Sequence, residues 1–340
     1  MEKPKIRFLK NKHSWVRNTF EEIAKRRTKS SDNPDLPRIE YQDIISGEGR
    51  LNKDLNKNID CRKGIVFETN DILYGKLRPY LKNWLHPNFN GIALGDFWVL
   101  QARNCDSKFL FSLVQSPKFQ RVANDTSGTK MPRSDWKTVS QTEFSIPTSN
   151  EEQSAIGKLF RTLDDLLASY KDNLANYQSL KATMLSKMFP KAGQTVPEIR
   201  LDGFEGEWQK YYLGDIFEQV SNYIEPSVEN ELWSLTVEKG LTPKTDRYKR
   251  DFLVKKNDKF KKVNLNEFVY NPMNLTLGAL DLNNNEVTIS VSGYYIVIKN
   301  RDIEKFDNDF LKILLKTMYA IYQYKQFATG SLIEKQRVQF

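Results

Sequence analysis

Between Tyr74 and Lys82 the chain reads Tyr-Gly-Lys-Leu-Arg-Pro-Tyr-Leu-Lys, so Lys76, Arg78 and Lys82 alternate with Tyr74 and Tyr80. Arg and Lys on a turn can neutralise phosphates, and an Arg fork can bridge the O6 and N7 of a guanine edge. A second polar stretch, Thr126 to Trp136, carries Thr129, Lys130 and Arg133 behind Gly128, and its Gly-Thr amides could approach a phosphate closely. The matching stretches late in the chain are rich in amides instead: Asn271 and Asn274, Asn283 to Asn285, and Thr329 to Lys335 with Ser331 and Lys335. Asn and Gln suit adenine. For each loop alone, a solvated surface is the competing reading.

Chemistry of bond making has little to draw on. The histidines are His13 and His86, and there is no His-Glu-x-x-His, Cys-x-x-Cys, P-loop or Gly-x-Gly-x-x-Gly. Asn271-Pro-Met-Asn274 is a faint version of an amino-methyltransferase turn but lacks the second proline and the ring that stacks a flipped base. Pro34-Asp35 with Glu40-Tyr-Gln42 resembles a nuclease metal site, although four intervening residues are too few for adjacent strands, and a polar loop explains it better. We expect no cofactor, no metal and no activity from the chain alone.

The elements that must carry these loops come in two copies. Pro4-Lys-Ile-Arg-Phe8, followed after six residues by Trp15-x-Arg-x-x-Phe20-x-x-Ile23, returns as Pro197-Glu-Ile-Arg-Leu201 and Trp208-x-Lys-x-x-Leu213-x-x-Ile216. Further pairs follow in the same order: Asp71–Tyr74 with Glu267–Tyr270, Phe109-Leu110 with Phe310-Leu311, and Thr126–Thr129 with Ala328–Ser331. Drift with small loop insertions is what a duplicated domain leaves behind. Each copy reads as short β runs between Gly, Pro and Asn turns, then one helix, Ser107–Asn124 or Asn308–Phe327. The fold class is therefore α+β, with two similar mixed domains at 1–149 and 191–340. Twenty Phe and six Trp suffice for two cores. Residues 1–150 hold 26 Lys and Arg against 17 Asp and Glu, whereas residues 201–340 hold 19 against 20, so the basic surplus of a polyanion binder lies in the first copy. Two cysteines make no disulfide framework, no leader is recognisable at Met1, and no apolar run approaches a membrane span. A cytoplasmic protein with no membrane partner is expected.

Between the copies, residues 150–190 keep helical spacing almost without interruption. Ile156, Leu159, Leu163, Leu166, Tyr170, Tyr177, Leu180 and Met184 fall on alternating steps of three and four, with Asn173 in the remaining slot, which is the pattern of a coiled-coil seam. Ser149 or Asn150 can cap it, and Pro190 with Gly193 ends it. At about 1.5 Å per residue it is roughly 58 Å long, against ~34 Å for one DNA turn. A core helix of one large domain is the competing reading, although two or three turns normally suffice for that. So long a seam should be covered, and since no second long helical pattern is read in the second copy, a second copy of the chain or a partner's helices is expected to cover it. Asn173 would then help fix the register.

The order of domain, long helix and domain resembles the specificity subunit of type I restriction-modification systems. So do the opening Pro197-Glu-Ile-Arg-Leu201 through Glu207-Trp208 to Leu213-Gly-Asp-Ile-Phe217 and the helix start Ile146-Pro147 through Glu151-Glu-Gln153, with Leu163-Asp164. The resemblance implies two target recognition domains, each reading half of a bipartite site on double-stranded DNA. It also implies a helix that sets the unread spacer and docks methylation subunits and, through them, restriction subunits, which do the chemistry. The sequence departs from the family in lacking the C-terminal helix that lies antiparallel to the first. The other open readings are a coiled-coil scaffold whose globular ends bind protein, and a stand-alone nuclease.

Overall fold

Apolar residues that fall two by two on opposite faces of short segments build a double-sided sheet in each copy. The computed structural model describes residues 14–52, 62–125, 131–191, 193–227, 229–244, 260–329 and 337–340. The chain divides into two units, Met1–Asn176 and Tyr177–Phe340.

In chain order the first unit carries β1 (Trp15–Thr19), α1 (Phe20–Ile23), β2 (Ala24–Arg27), β3 (Ser30–Ser31), β4 (Arg38–Ile39), β5 (Ile44–Ile45), β6 (Arg50–Leu51), β7 (Gly64–Phe67) and β8 (Ile72–Gly75). There follow β9 (Trp84–Leu85), β10 (Gly91–Ala93), β11 (Phe97–Ala102), α2 (Ser107–Gln115), α3 (Pro117–Ala123), α4 (Trp136–Gln141), β12 (Glu143–Pro147) and the long helix α5 (Asn150–Lys187). Strands run β2-β11-β8-β9 in one antiparallel sheet and β3-β7-β10-β4 in a second, whose β10·β4 pair is parallel. The period of two decides which core each side chain enters. Ile72, Tyr74, Trp98 and Leu100 join Phe20, Phe119 and Phe144 under the helices, while Leu73, Phe97 and Val99 face Ile39 and Phe67 of the other sheet.

After α5 the second unit carries α6 (Leu213–Ile216), β13 (Phe217–Val220), β14 (Tyr223–Ile224), β15 (Trp233–Thr236), β16 (Gly240–Pro243), β17 (Phe260–Val263), β18 (Glu267–Tyr270), β19 (Leu280–Leu282), β20 (Ile289–Ser292), β21 (Ile296–Asn300), α7 (Asn308–Leu314) and α8 (Met318–Phe327). Its sheets run β13-β21-β18-β19 and β14-β17-β20, the same orders as in the first unit with β4 left over. Phe268, Tyr270 and Ile298 enter one core and Val269 and Val297 the other, repeating the division across β8 and β11. The duplication inferred from sequence is therefore a duplication of topology.

Both expected single helices are broken. Pro117 has no N–H and disfavours helical backbone at Ser116, which is extended (φ −63, ψ 149) and caps α3 by accepting from Phe119 N. Thr317 does the same without a proline, its hydroxyl accepting from Ala320 N to restart the chain as α8. The caps recur with the repeat: Asp106 and Asp307 open α2 and α7, and Ser116 and Thr317 open α3 and α8.

The start of α5 is built into the first unit. Ser149 Oγ accepts from Glu152 N, as its capping role requires. Buried Gln153 accepts from Asp106 N through Oε1 and donates to Pro147 O through Nε2, both at 2.8 Å, and Trp15 Nε1 donates to Glu152 at 3.3 Å. A Cβ on Gly157 would lie 2.6 Å from Lys108 Cβ and from Phe109 N, so only glycine lets α5 lie this close to α2. Trp15 meets Phe109 edge to face at 6.5 Å, and Trp208 meets Phe310 likewise at 5.7 Å with Phe189 stacked on Phe310. Phe109 is buried, whereas Phe310 is 40% exposed.

Beyond Ile156, which is half-buried against the first core, the seam lies open within the chain. Leu159, Leu163, Leu166, Tyr170, Tyr177 and Leu180 are all exposed, with Asn173, and Met184 is half-buried. Phe160, Leu167 and Leu174 are exposed beside them, one residue after Leu159, Leu166 and Asn173. The apolar stripe is thus wider than the two-position seam read from the sequence, and its width suits a helix packed against more than one neighbour.

Candidate nucleic-acid interface

The two basic stretches of the first copy meet in one place, through residues more than fifty positions apart. Leu77 and Arg133 form an isolated antiparallel bridge, Arg78 N donates to Pro132 O at 2.7 Å, and Ser134 N donates to Lys76 O at 2.8 Å. Lys76 and Arg133 then share one carboxylate: Lys76 Nζ lies 3.4 Å from Asp96 Oδ1 and Arg133 Nη2 3.0 Å from Asp96 Oδ2. Arg78, Tyr80 and Lys82 are exposed beside them, Tyr80 by 56%. Neither Arg78 nor Lys82 is paired with a carboxylate among the described residues.

The backbone here is held against its own preference. Pro79–Leu81 is a 3-10 turn flanked by Arg78 (φ 49, ψ 59) and Lys82 (φ 55, ψ 42), both left-handed. The other described non-glycine residues with positive φ are asparagines (Asn70, Asn104 and Asn266), whose side chains tolerate that region. For Arg and Lys the conformation costs roughly 1–2 kcal/mol each. It persists because the surroundings fix it: Leu81 N donates to Arg78 O and Lys82 N to Pro79 O, both at 2.9 Å, and Gly47 N donates to Lys82 O at 3.0 Å. Ser46 Oγ donates to Leu81 O as well. Tyr41 locks the other side. Its hydroxyl donates to Asp96 O at 2.6 Å and accepts from Leu77 N at 3.3 Å, and burial pushes its pKa up to about 12, so the proton stays in place.

The second copy repeats this corner with different side chains. Leu275–Leu277 is again a 3-10 turn, preceded by exposed Asn274 and followed by Gly278 at φ +91. Gly278 stands where the first copy has Lys82, so the turn itself does not call for a lysine. Val338 N donates to Pro272 O at 3.1 Å, matching the bond from Ser134 to Lys76. Arg337 therefore corresponds to Arg133, a counterpart the sequence reading missed because the spacing of the repeat drifts further near residue 337. The side-chain oxygen of half-buried Asn271 accepts from Met273 N at 3.0 Å, which ties its amide to the turn. Thr129, Lys130, Ser331 and Lys335 lie outside the described residues.

Glu40 of the nuclease-like stretch and His86 are each engaged within the fold. Glu40 is engaged by Arg62 and by Gln42 Nε2, and no group of three or more His, Cys, Asp or Glu side chains suited to a metal occurs among the described residues. His86 is stacked on Phe111 at 5.4 Å, and burial together with nearby Arg161 lowers its pKa to about 4. Its ring is half-buried, and the lowered pKa favours the neutral form. Among the described residues no helix is long and apolar enough to cross a membrane.

No family model matches the chain. The Escherichia coli type I restriction enzyme EcoDI specificity subunit is 25% identical over 189 residues, 53% of this chain and 42% of that protein, so less than half of the relative's length is matched. A crystal structure of the type I restriction-modification S subunit from M. genitalium covers 94% of this chain and 80% of its own at a TM-score of 0.53 and 14% identity. The HsdS subunit from Thermoanaerobacter tengcongensis covers 96% and 82% at 0.43 and 17%. In sequence over part of its length, and in fold over nearly all of it, this chain is similar to the specificity subunits of type I restriction-modification systems.

Proposed function

We propose that the chain is the DNA-specificity subunit of a type I restriction-modification complex, itself non-catalytic, in which residues 1–149 and 191–340 each read half of a bipartite site. Residues 150–190 set the unread spacer. The observation that carries this reading is the preorganised basic turn at Arg78–Lys82. Two cationic residues held in left-handed backbone by four backbone hydrogen bonds present charge at a fixed position, and a repeat of the same turn with Asn274 and Gly278 supplies a second, differently lined reader. Methylation subunits, and restriction subunits through them, would supply the chemistry. Binding and sequencing of duplexes retained from a random pool tests this: two short motifs at constant separation are expected, and retention without any motif would refute it.

The exposed stripe of α5 supports a second part of the proposal, that another helix covers it. Burying each large side chain contributes roughly 1.5–3 kcal/mol, so residues from Leu159 to Leu180 favour association strongly. A second copy in a two-fold antiparallel pair, or helices of a methylation subunit, would satisfy it. Sedimentation of the purified chain separates the two: a dimer fits the first, and a monomer that associates only when a methylation subunit is added fits the second.

A further inference from the structure

Asp96 is a carboxylate at the centre of a cationic corner, which is an unexpected place for one if the corner only attracts phosphate. Its oxygens lie 3.4 Å from Lys76 Nζ and 3.0 Å from Arg133 Nη2, and its backbone oxygen accepts from Lys76 N at 2.9 Å and from the Tyr41 hydroxyl at 2.6 Å. The main chain that carries the carboxylate is thus tied at Lys76 and Tyr41. Its side chain is 27% exposed, that of Lys76 33%, and that of Arg133 59%. A carboxylate that holds one end nitrogen of a guanidinium restrains the plane of the fork and leaves its remaining donors for other partners. It also subtracts one charge from the attraction for any phosphate backbone.

We propose that Asp96 is a positioning residue for sequence discrimination: it aims Arg133 and Lys76 at base edges and restrains their indiscriminate use on phosphates. This rests on the DNA-reading function proposed above. Without Asp96 both cations would be free to swing to whichever phosphates are nearest, so affinity for arbitrary DNA should rise while the choice between bases falls. A purely structural role predicts the opposite, a loss of both together with a loss of stability.

The test uses the full chain as wild type and as Asp96→Asn, Asp96→Glu and Arg133→Gln, measuring affinity for a random-sequence 30-base-pair duplex over a range of salt and the motif retained from a random duplex pool. Asp96→Asn should bind the random duplex about fivefold more tightly, with a steeper salt dependence, and lose preference at one base-pair position of the first half-motif. Asp96→Glu should keep that preference, and Arg133→Gln should lose it at the same position while binding the random duplex more weakly. An unchanged motif in Asp96→Asn overturns the inference, as does a loss at a different position from Arg133→Gln. Should Asp96→Asn fail to fold, a motif unchanged in Arg133→Gln overturns it alone. Failure of the wild type to retain any motif is distinct from these outcomes, and removes the DNA-reading proposal and this inference together.

Discussion

The guanidinium of Arg50 forms a two-pronged pair with the Asp172 carboxylate, at 2.7 and 2.8 Å, joining residues 122 apart in sequence. Glu48 completes the junction by accepting from Arg50 Nε and from Lys171 Nζ, both at 2.7 Å, and these two donors hold its carboxyl below the usual carboxylate range. The turn between β5 and β6 is thereby tied to α5, and through Gly47 N and Ser46 Oγ the same turn holds the basic loop at Leu81 and Lys82. It is a bracket between candidate reader and helix.

Reversing one charge should open that bracket. Arg50→Asp is expected to speed hydrogen exchange of amides in 44–51 and 79–82 several-fold, and Arg50→Asp with Asp172→Arg to restore most of the protection. The single variant should lower Tm by only a few degrees, because exposed pairs contribute little to global stability. Exchange rates that ignore the single variant would show that the turn is held by other interactions.

Gly157 is required by close packing. In Gly157→Val the new side chain would begin 2.6 Å from Lys108 Cβ and Phe109 N, both on a helix that cannot retreat cheaply, so destabilisation of roughly 1–3 kcal/mol is expected in thermal or urea unfolding. Gly214 has nothing within 4 Å of its would-be Cβ and no positive φ, so Gly214→Ala should be neutral or slightly stabilising.

His86 adds a pH dependence of definite sign. Its folded pKa is near 4 and its ordinary value 6.5, so between those limits the unfolded chain binds a proton that the folded chain refuses. Stability from this group is complete above about pH 6.5 and is lost as pH falls toward 4, by at most roughly 3 kcal/mol. Unfolding midpoints measured from pH 7 to 4.5 should fall more steeply for the wild type than for His86→Phe. Parallel curves would show that the histidine takes up its proton without penalty.

Much of the frame was legible because it rests on local periodicity and on repetition. The match of Trp15 through Ile23 with Trp208 through Ile216 announced two copies, and the spacing from Ile156 to Met184 announced α5. Breaks at Ser116 and Thr317 were hidden, since a capping hydroxyl competes with helix only when the following turn has somewhere to pack; Pro117 was the available sign in one copy. Of the candidate site, only the cations could be read from the sequence. Lys76, Arg78 and Arg133 are visible as basic residues on loops, but Asp96 and Tyr41 reach them only through folding, and the strained backbone at Arg78 and Lys82 has no signature in residue types that usually avoid it.

Charge asymmetry gives a prediction about salt. Neutralising Lys76, Arg78, Lys82 and Arg133 together should lower the slope of log affinity against log salt by ~0.9 for each phosphate that the chain no longer neutralises. Neutralising Arg337 alone should remove at most one such increment, because a single cation neutralises a single phosphate. A slope unaffected by the four changes would mean that the groove-facing surface lies elsewhere.

The exposed stripe gives a prediction about assembly. Leu163→Glu with Leu166→Glu should yield a soluble monomer from a wild type that is dimeric, or abolish binding of a methylation subunit to a wild type that is monomeric, both measured by sedimentation. A well-behaved wild-type monomer that binds no methylation subunit would remove the stripe from the interface.

The most direct test of the central claim is methylome sequencing of cells that express this chain with methylation subunits, beside cells in which residues 76–82 and 131–134 are exchanged for those of a different reader. A modified bipartite motif is expected in the first, and in the second a motif changed in one half only with its spacer intact. The absence of a bipartite motif, or a motif indifferent to the exchange, would contradict it.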